Sequence, residues 1–155
     1  MEINEKVVEK LISKGWKISF AESCTGGLCA GKLVDVANAS KVFDKSFVTY
    51  ANEAKIELLG VDPNTIEKYG VVSEEVAKEM ALGLHVKNGI EVGVGVSGIA
   101  GPTGGTETKP VGMVCFGFYI NGTTFTYTKQ FGNIGRNSVR EQSVQFVFET
   151  LNELI

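Results

Sequence analysis

SFAESCTGGLCAGKLV, from Ser19 to Val34, runs from an apolar stretch through Glu, Ser, Cys, Thr and two glycines into a helical pattern. WKISFA (16–21) reads as a short buried strand, and residues 26–37 as a helix with Leu28, Leu33, Val34 and Ala37 on its inner face. A strand passing straight into a helix is a building unit of layered α/β domains. The turn between them places a carboxylate, two hydroxyls and a thiol at positions 22–25. A structural turn needs fewer.

The flanking chain supports the same class. Val7, Val8, Leu11 and Ile12 recur at helical spacing, so residues 2–14 read as a helix closed by Gly15. VFDKSFVTY (42–50) alternates as a strand. Asn52 is placed to cap the helix NEAKIELL, which Gly60 stops. Asp62-Pro63 and Ser73 open helices over 63–68 and 73–87, the latter lined by Val76, Met80, Leu84 and Val86. EVGVGVSG (91–98) reads as a strand. VGMVCFGFYI (111–120) and TTFTYTKQF (123–131) form a hairpin across Asn121-Gly122. A helix over 135–154, with Val139, Val144, Phe146, Val147 and Leu151 as its apolar positions, ends the chain. The expected fold is a layered α/β/α domain, residues 1–155, with a mixed sheet of about five strands, a C-terminal hairpin and a long C-terminal helix.

Bulk properties narrow the classes. A chain of 155 residues, 43% hydrophobic and 21% charged, is an ordinary globular composition. A net charge of −3 gives no field that draws nucleic acid or an anionic membrane. No apolar run approaches the ~20 residues of a membrane span, and the N-terminus is charged throughout, unlike a signal peptide. Cysteines 24, 29 and 115, without a CxxC pair, fit a reducing compartment, hence the cytoplasm. One histidine, His85, excludes a His-rich metal site. Glycine is the outlier, at 19 residues where ~7% is usual.

Each candidate group has a plain reading beside a chemical one. Ser23 or Thr25 is a helix N-cap, or Ser23 is a nucleophile at a strand-to-helix junction. In the second case amides at Thr25, Gly26 and Gly27, with the helix dipole, would hold an oxyanion. Cys24 is the rival nucleophile, but His85 is no evident base for it. Cys29 and Cys115 read as small core residues. VTYANEAK supplies Tyr50 and Lys55, either a packed phenol and a solvated amine or a base for a serine. A helix N-terminus and burial would both lower the lysine pKa. Their spacing is not that of a short-chain dehydrogenase, and GxGxxG is absent. GVSGIAGPTGGTETKPVG is not a P-loop. It is a connection, or an anion-friendly loop through Ser97, Gly98, Gly101 and Thr103. Arg136 and Arg140, the only arginines, share one face of the last helix, for a phosphate or for solvent.

AESCTGG (21–27), VTYANEAK (48–55), GVVSEEVAKEMA (70–81), VSGIAGPTGG (96–105), KPVG (109–112) and VREQ (139–142) together resemble the CinA C-terminal domain family. The resemblance runs from about residue 5 to 155. Enzymatic members of that family are nicotinamide-nucleotide amidases. The resemblance implies hydrolysis of the carboxamide of nicotinamide mononucleotide to nicotinate mononucleotide and ammonia, without metal or cofactor. It places the catalytic serine on Ser23, the tyrosine on Tyr50 and the lysine on Lys55. Thr25 to Gly27 are then expected at the oxyanion, and Ser97, Gly98, Gly101, Thr103 and the arginines at ribose and phosphate. The family's usual G-D-R reads G-N-I-G-R here (132–136), which favours Arg140 over Arg136 as the contact. The molybdopterin-binding-like domain carried by many relatives is absent from this sequence. The alternatives are a catalytically silent nucleotide-binding or regulatory module and an amidase for another pyridine-like amide. No nucleic-acid or membrane partner is expected, and assembly into a homo-oligomer is left open.

Overall fold

A computed structural model describes all residues, 1–155. The elements are α1 (Ile3–Lys14), β1 (Ile18–Glu22), α2 (Leu28–Val34), a 3₁₀ turn (Ala39–Lys41), β2 (Phe47–Val48), α3 (Asn52–Leu59), α4 (Pro63–Tyr69), α5 (Glu74–Asn88), β3 (Val92–Gly98), β4 (Met113–Ile120), β5 (Thr123–Gln130) and α6 (Arg136–Leu154). One five-stranded sheet has the order β2-β1-β3-β4-β5. β2, β1 and β3 run parallel; β3–β4 and β4–β5 are antiparallel. The expected mixed α/β sheet, hairpin and long last helix are all present.

The two sheet faces are built differently. On β3, VGVGV sends Val92, Val94 and Val96 into a core with Phe20, Phe116, Phe118 and Phe148. α1 and α6 cover that face through Val7, Val8, Leu11, Val147 and Leu151. The intervening glycines face α5. A Cβ on Gly95 would lie 2.4 Å from the Ala77 carbonyl oxygen, and one on Gly117 2.3 Å from the same atom. The helix backbone therefore rests directly on the sheet. Part of the glycine excess is packing, not chemistry.

Caps fix several boundaries. The Ser73 hydroxyl accepts from the Val76 amide, and the Asp62 carboxylate from the Asn64 amide ahead of Pro63. Asn121 and Gly122 both have positive φ, 42° and 107°, as a tight hairpin turn demands.

Five local expectations are corrected. The 42–50 strand shrinks to Phe47–Val48, plus a bridge from Phe43 to Ile18. Between them side chains replace the ladder: the Ser46 hydroxyl bonds both the amide and the carbonyl of Phe20, and the Ser19 hydroxyl donates to Lys45 O. α2 starts at Leu28, because Gly26 and Gly27 hold left-handed φ values of 57° and 104°. Its buried seam is Cys29 and Leu33, while Leu28, Val34 and Ala37 are exposed. Val86 on α5 is exposed as well. Asn52 is the first residue of α3 and not its cap; Ala51 holds the cap position with no side-chain bond.

Candidate active site

The C-terminal ends of β1 and β3 lie side by side, with Glu22 paired to Val96. In a parallel array that end is where loops converge and ligands bind. Ser23 follows β1 directly, and its amide donates to Val96 O. Its side chain caps no helix. Ser97 stands one residue beyond Val96 on β3, and the chain after β2 brings in Tyr50 on the loop and then Lys55 on α3.

Lys55 is fully buried and the only lysine in the core. Its Nζ lies 2.7 Å from Thr49 O, 3.1 Å from Tyr50 O and 3.2 Å from Ser23 Oγ. A neutral amine has two N–H donors and one lone pair. The two carbonyls take the donors, which leaves the lone pair for the serine hydroxyl. The single salt bridge of the molecule, Lys17–Asp44, is elsewhere, so no carboxylate offsets the burial of Lys55. Burial accordingly lowers its pKa from the usual lysine value, while a Cys24 charge would act in the opposite sense. Cys24 carries no such charge at neutral pH. It is buried among core residues, and desolvation pushes its thiol up to about 11. A thiol held protonated at neutral pH is a poor nucleophile, which disfavours Cys24 in that role. Cys29 and Cys115 are fully buried core thiols, also raised by burial. His85 bonds Ile90 O and stacks on Tyr119, far in the fold's logic from the serine.

Ser23, Cys24, Asn52, Lys55, Ser97 and Arg136 are among the residues lining a cavity of about 190 Å³. A second, shallower cavity of about 420 Å³ shares Tyr50, Val71, Val72, Gly98, Ala100 and Arg136 with it, and continues along Gly101, Thr103, Thr106 and Lys109. The pair forms one groove with the serine at its deep end. Of the expected site residues, Ser23, Tyr50, Lys55, Ser97, Gly98, Gly101, Thr103 and Arg136 all line it. Tyr50 is mostly exposed, and its phenol accepts from Arg136 Nη2 at 3.1 Å; it is the backbone carbonyl of Tyr50 that meets Lys55. The Ser97 hydroxyl donates to Val71 O.

Thr25, Gly26, Gly27 and Arg140 do not line the groove. The Gly26 amide is occupied by Ser23 O. The start of α2 is occupied too: the buried Glu22 carboxylate accepts from the Cys29 amide at 2.8 Å and the Ala30 amide at 3.1 Å. An oxyanion therefore has no helix terminus to use here. The Cys24 amide, next to the serine, donates to no other residue and lies against its own thiol; the Thr25 and Gly27 amides donate to no residue either, but only Cys24 of the three lines the groove. Arg140 bonds the outer side of the turn, and Arg136 takes the groove position, with Nη1 on Gly101 O at 2.8 Å. Arg136, and not the expected Arg140, lines the groove.

Glu22 and Lys109 have structural roles that the sequence did not reveal. Glu22 closes a strand that reads as apolar, and a carboxylate two turns ahead of its helix amides has no regular capping spacing. Lys109 ties the glycine-rich loop to the chain before α5, through Tyr69 O and, at 2.6 Å, Val72 O. No local pattern marks such a tie. No group of three His, Cys, Asp or Glu side chains converges to hold a metal. No helix is long and apolar enough to cross a membrane.

Comparison with known proteins agrees over the whole chain. The family model described as CinA C-terminal domain matches residues 1–155. The nicotinamide-nucleotide amidohydrolase PncC of Enterobacter agglomerans is 49% identical over 99% of this chain and 94% of that protein. A CinA-like protein of Kosmotoga olearia is 48% identical over 95% of this chain, which spans only 35% of that protein's length. Among solved structures, a CinA superfamily protein of Escherichia coli superposes with a TM-score of 0.95 at 32% identity, over 99% of this chain and 88% of that one. The competence/damage inducible protein CihA of Agrobacterium tumefaciens gives 0.91 at 39% identity, over 99% and 96%.

Proposed function

The chain belongs to the CinA C-terminal domain family, and from that membership we propose that residues 1–155 form one amidase domain acting on nicotinamide mononucleotide. The products are nicotinate mononucleotide and ammonia. The observation that carries the reading is the buried Lys55 amine 3.2 Å from Ser23 Oγ at the deep end of a groove. The amidohydrolase name of the Enterobacter relative supports the substrate.

The chemistry is acyl transfer. Ser23 Oγ attacks the carboxamide carbon as its proton passes to Lys55 Nζ. The carbonyl oxygen becomes an oxyanion, stabilised by the Cys24 amide. The C–N bond then breaks, and Lys55 returns the proton to the departing nitrogen as ammonia leaves. Water, deprotonated by the same amine, cleaves the Ser23 ester and releases the carboxylate. The phenol of Tyr50, held by Arg136, stands at the junction of the two cavities, where it would flank the pyridine ring. Ser97, Gly98, Gly101 and Thr103 supply the wall for ribose and phosphate. Three buried, unpaired thiols support a cytoplasmic setting.

Purified protein should release ammonia from nicotinamide mononucleotide and far less from free nicotinamide. Equal turnover of the two would reject the nucleotide assignment, and binding without ammonia would indicate a silent module. Arg136→Ala should raise KM for the nucleotide on the order of tenfold with kcat little changed, as loss of a contact remote from the reacting carbonyl does. Steady-state ammonia assays check this, and an unchanged KM would take Arg136 out of phosphate recognition.

A further inference from the structure

We infer that Arg140 is a positioning residue for the acyl-transfer step: its guanidinium clamps the turn after Ser23 and holds the Cys24 amide in the orientation the oxyanion needs. The inference rests on the amidase reading above and concerns how that site is held.

Arg140 is half-buried on α6 and lines neither cavity of the groove. It reaches instead to the serine turn. Nε donates to Cys24 O at 2.8 Å, and Nη2 to Thr25 O at 3.3 Å. Nη1 meets Asn137 Oδ1 at 3.4 Å. The Ser23 carbonyl is held from within the turn by the Gly26 amide at 3.1 Å. Three consecutive carbonyls, 23 to 25, thus each have a fixed donor.

A trans peptide places N–H opposite C=O, and the only cis bond in the chain is Gly101-Pro102. Fixing the Ser23 carbonyl fixes the Cys24 N–H that opposes it. By the same rule Arg140, on the Cys24 carbonyl, fixes the Thr25 N–H; with the peptide planes on both sides of the Cys24 Cα held, the Cys24 N–H cannot swing away from the groove. The amide held in this way donates to no other residue and has only its own thiol beside it, and its residue lines the deep cavity beside Ser23. The amide after a nucleophile is well placed for the oxyanion of an acyl-transfer intermediate. Gly26 gives the guanidinium room: a Cβ there would come within 3.2 Å of Nη2. The clamp needs two donors in a plane, which arginine has and lysine lacks.

The test separates this role from phosphate binding. In Arg140→Lys, which keeps charge and most of the stem, kcat for ammonia release should fall ~10²-fold, the usual cost of a lost oxyanion donor. KM should stay within about threefold, because ground-state binding is not involved. In a Ser23→Ala background, Arg140→Lys should leave the calorimetric Kd for nicotinamide mononucleotide unchanged. Guanidinium ion added at low concentration should restore part of the kcat of Arg140→Ala. A raised KM and weakened Kd with kcat intact would make Arg140 a phosphate contact and overturn the inference, as would a kcat that does not move. A wild-type protein that releases no ammonia overturns the amidase reading and this role with it. An active wild type with an indifferent Arg140→Lys overturns this role alone.

Discussion

Ser23→Ala is expected to remove ammonia release from nicotinamide mononucleotide while leaving the fold in place. Loss of a nucleophile typically costs ~10³-fold or more in kcat. The structural cost is small. The Ser23 side chain caps no helix, and Lys55 keeps its bonds to Thr49 O and Tyr50 O when the hydroxyl is gone. One hydrogen bond is worth about 1 kcal/mol, so the melting temperature should move by only a few degrees. Cys24→Ala should show the opposite pattern. Its thiol is packed in the core and held protonated, so the change should cost stability more than rate. A folded, inactive Cys24→Ala beside an active Ser23→Ala would move the nucleophile to sulfur.

The second large effect concerns the base. Lys55 accepts the serine proton only when neutral, and a lysine at its ordinary pKa of ~10.4 is almost wholly protonated at neutral pH. Burial without a counter-charge lowers that pKa, so the competent form gains population as pH rises. kcat/KM should therefore increase with pH through one ionisation lying below the ordinary lysine value. Lys55→Arg should lose on the order of 10³-fold, since a guanidinium stays charged at any working pH. Tyr50→Phe should retain more activity, because the phenol bonds Arg136 while the backbone carbonyl holds the amine. An active Lys55→Arg with an inactive Tyr50→Phe would make the tyrosine the base. Both variants are read by ammonia release across pH.

The layered fold was readable because its signals are local. Alternating apolar residues, Ser73 and Asp62 as caps, Gly15 and Gly60 as stops, and Asn121-Gly122 as a turn each act within a few residues. The 42–50 strand failed because its pairing is replaced by the Ser46 and Ser19 hydroxyls, bonds that no periodicity records. The α2 seam failed because two left-handed glycines delay the helix and shift its phase. At the site, Ser23, Tyr50 and Lys55 stood out through residue type and through resemblance. What lay beyond sequence was direction. Which amide is free, which arginine faces the groove and what Glu22 grips all depend on the route of the chain in space. Arg140 is 116 residues from Cys24 along the chain.

Burying Lys55 also couples folding to protons. In the unfolded chain this amine titrates near ~10.4, and in the folded chain lower. Below the folded value both states hold the proton and the burial penalty is present in full. Between the two values the unfolded chain holds a proton that the folded one has released, so stability rises with pH, by at most ~1.4 kcal/mol per pH unit. The buried thiols act in the reverse sense from about pH 9 upward, where the unfolded cysteines ionise and the folded ones do not. Subtracting the denaturation free energies of Lys55→Met from those of the wild type, point by point from pH 7 to 10, cancels Cys29 and Cys115 and leaves the lysine together with its coupling to Cys24, whose folded thiol stays protonated over most of that range. A positive slope in that difference is expected, and a flat one would mean that the folded amine titrates as it does in water. The proton deficit that equips Lys55 to accept from a serine is then measurable with no substrate present.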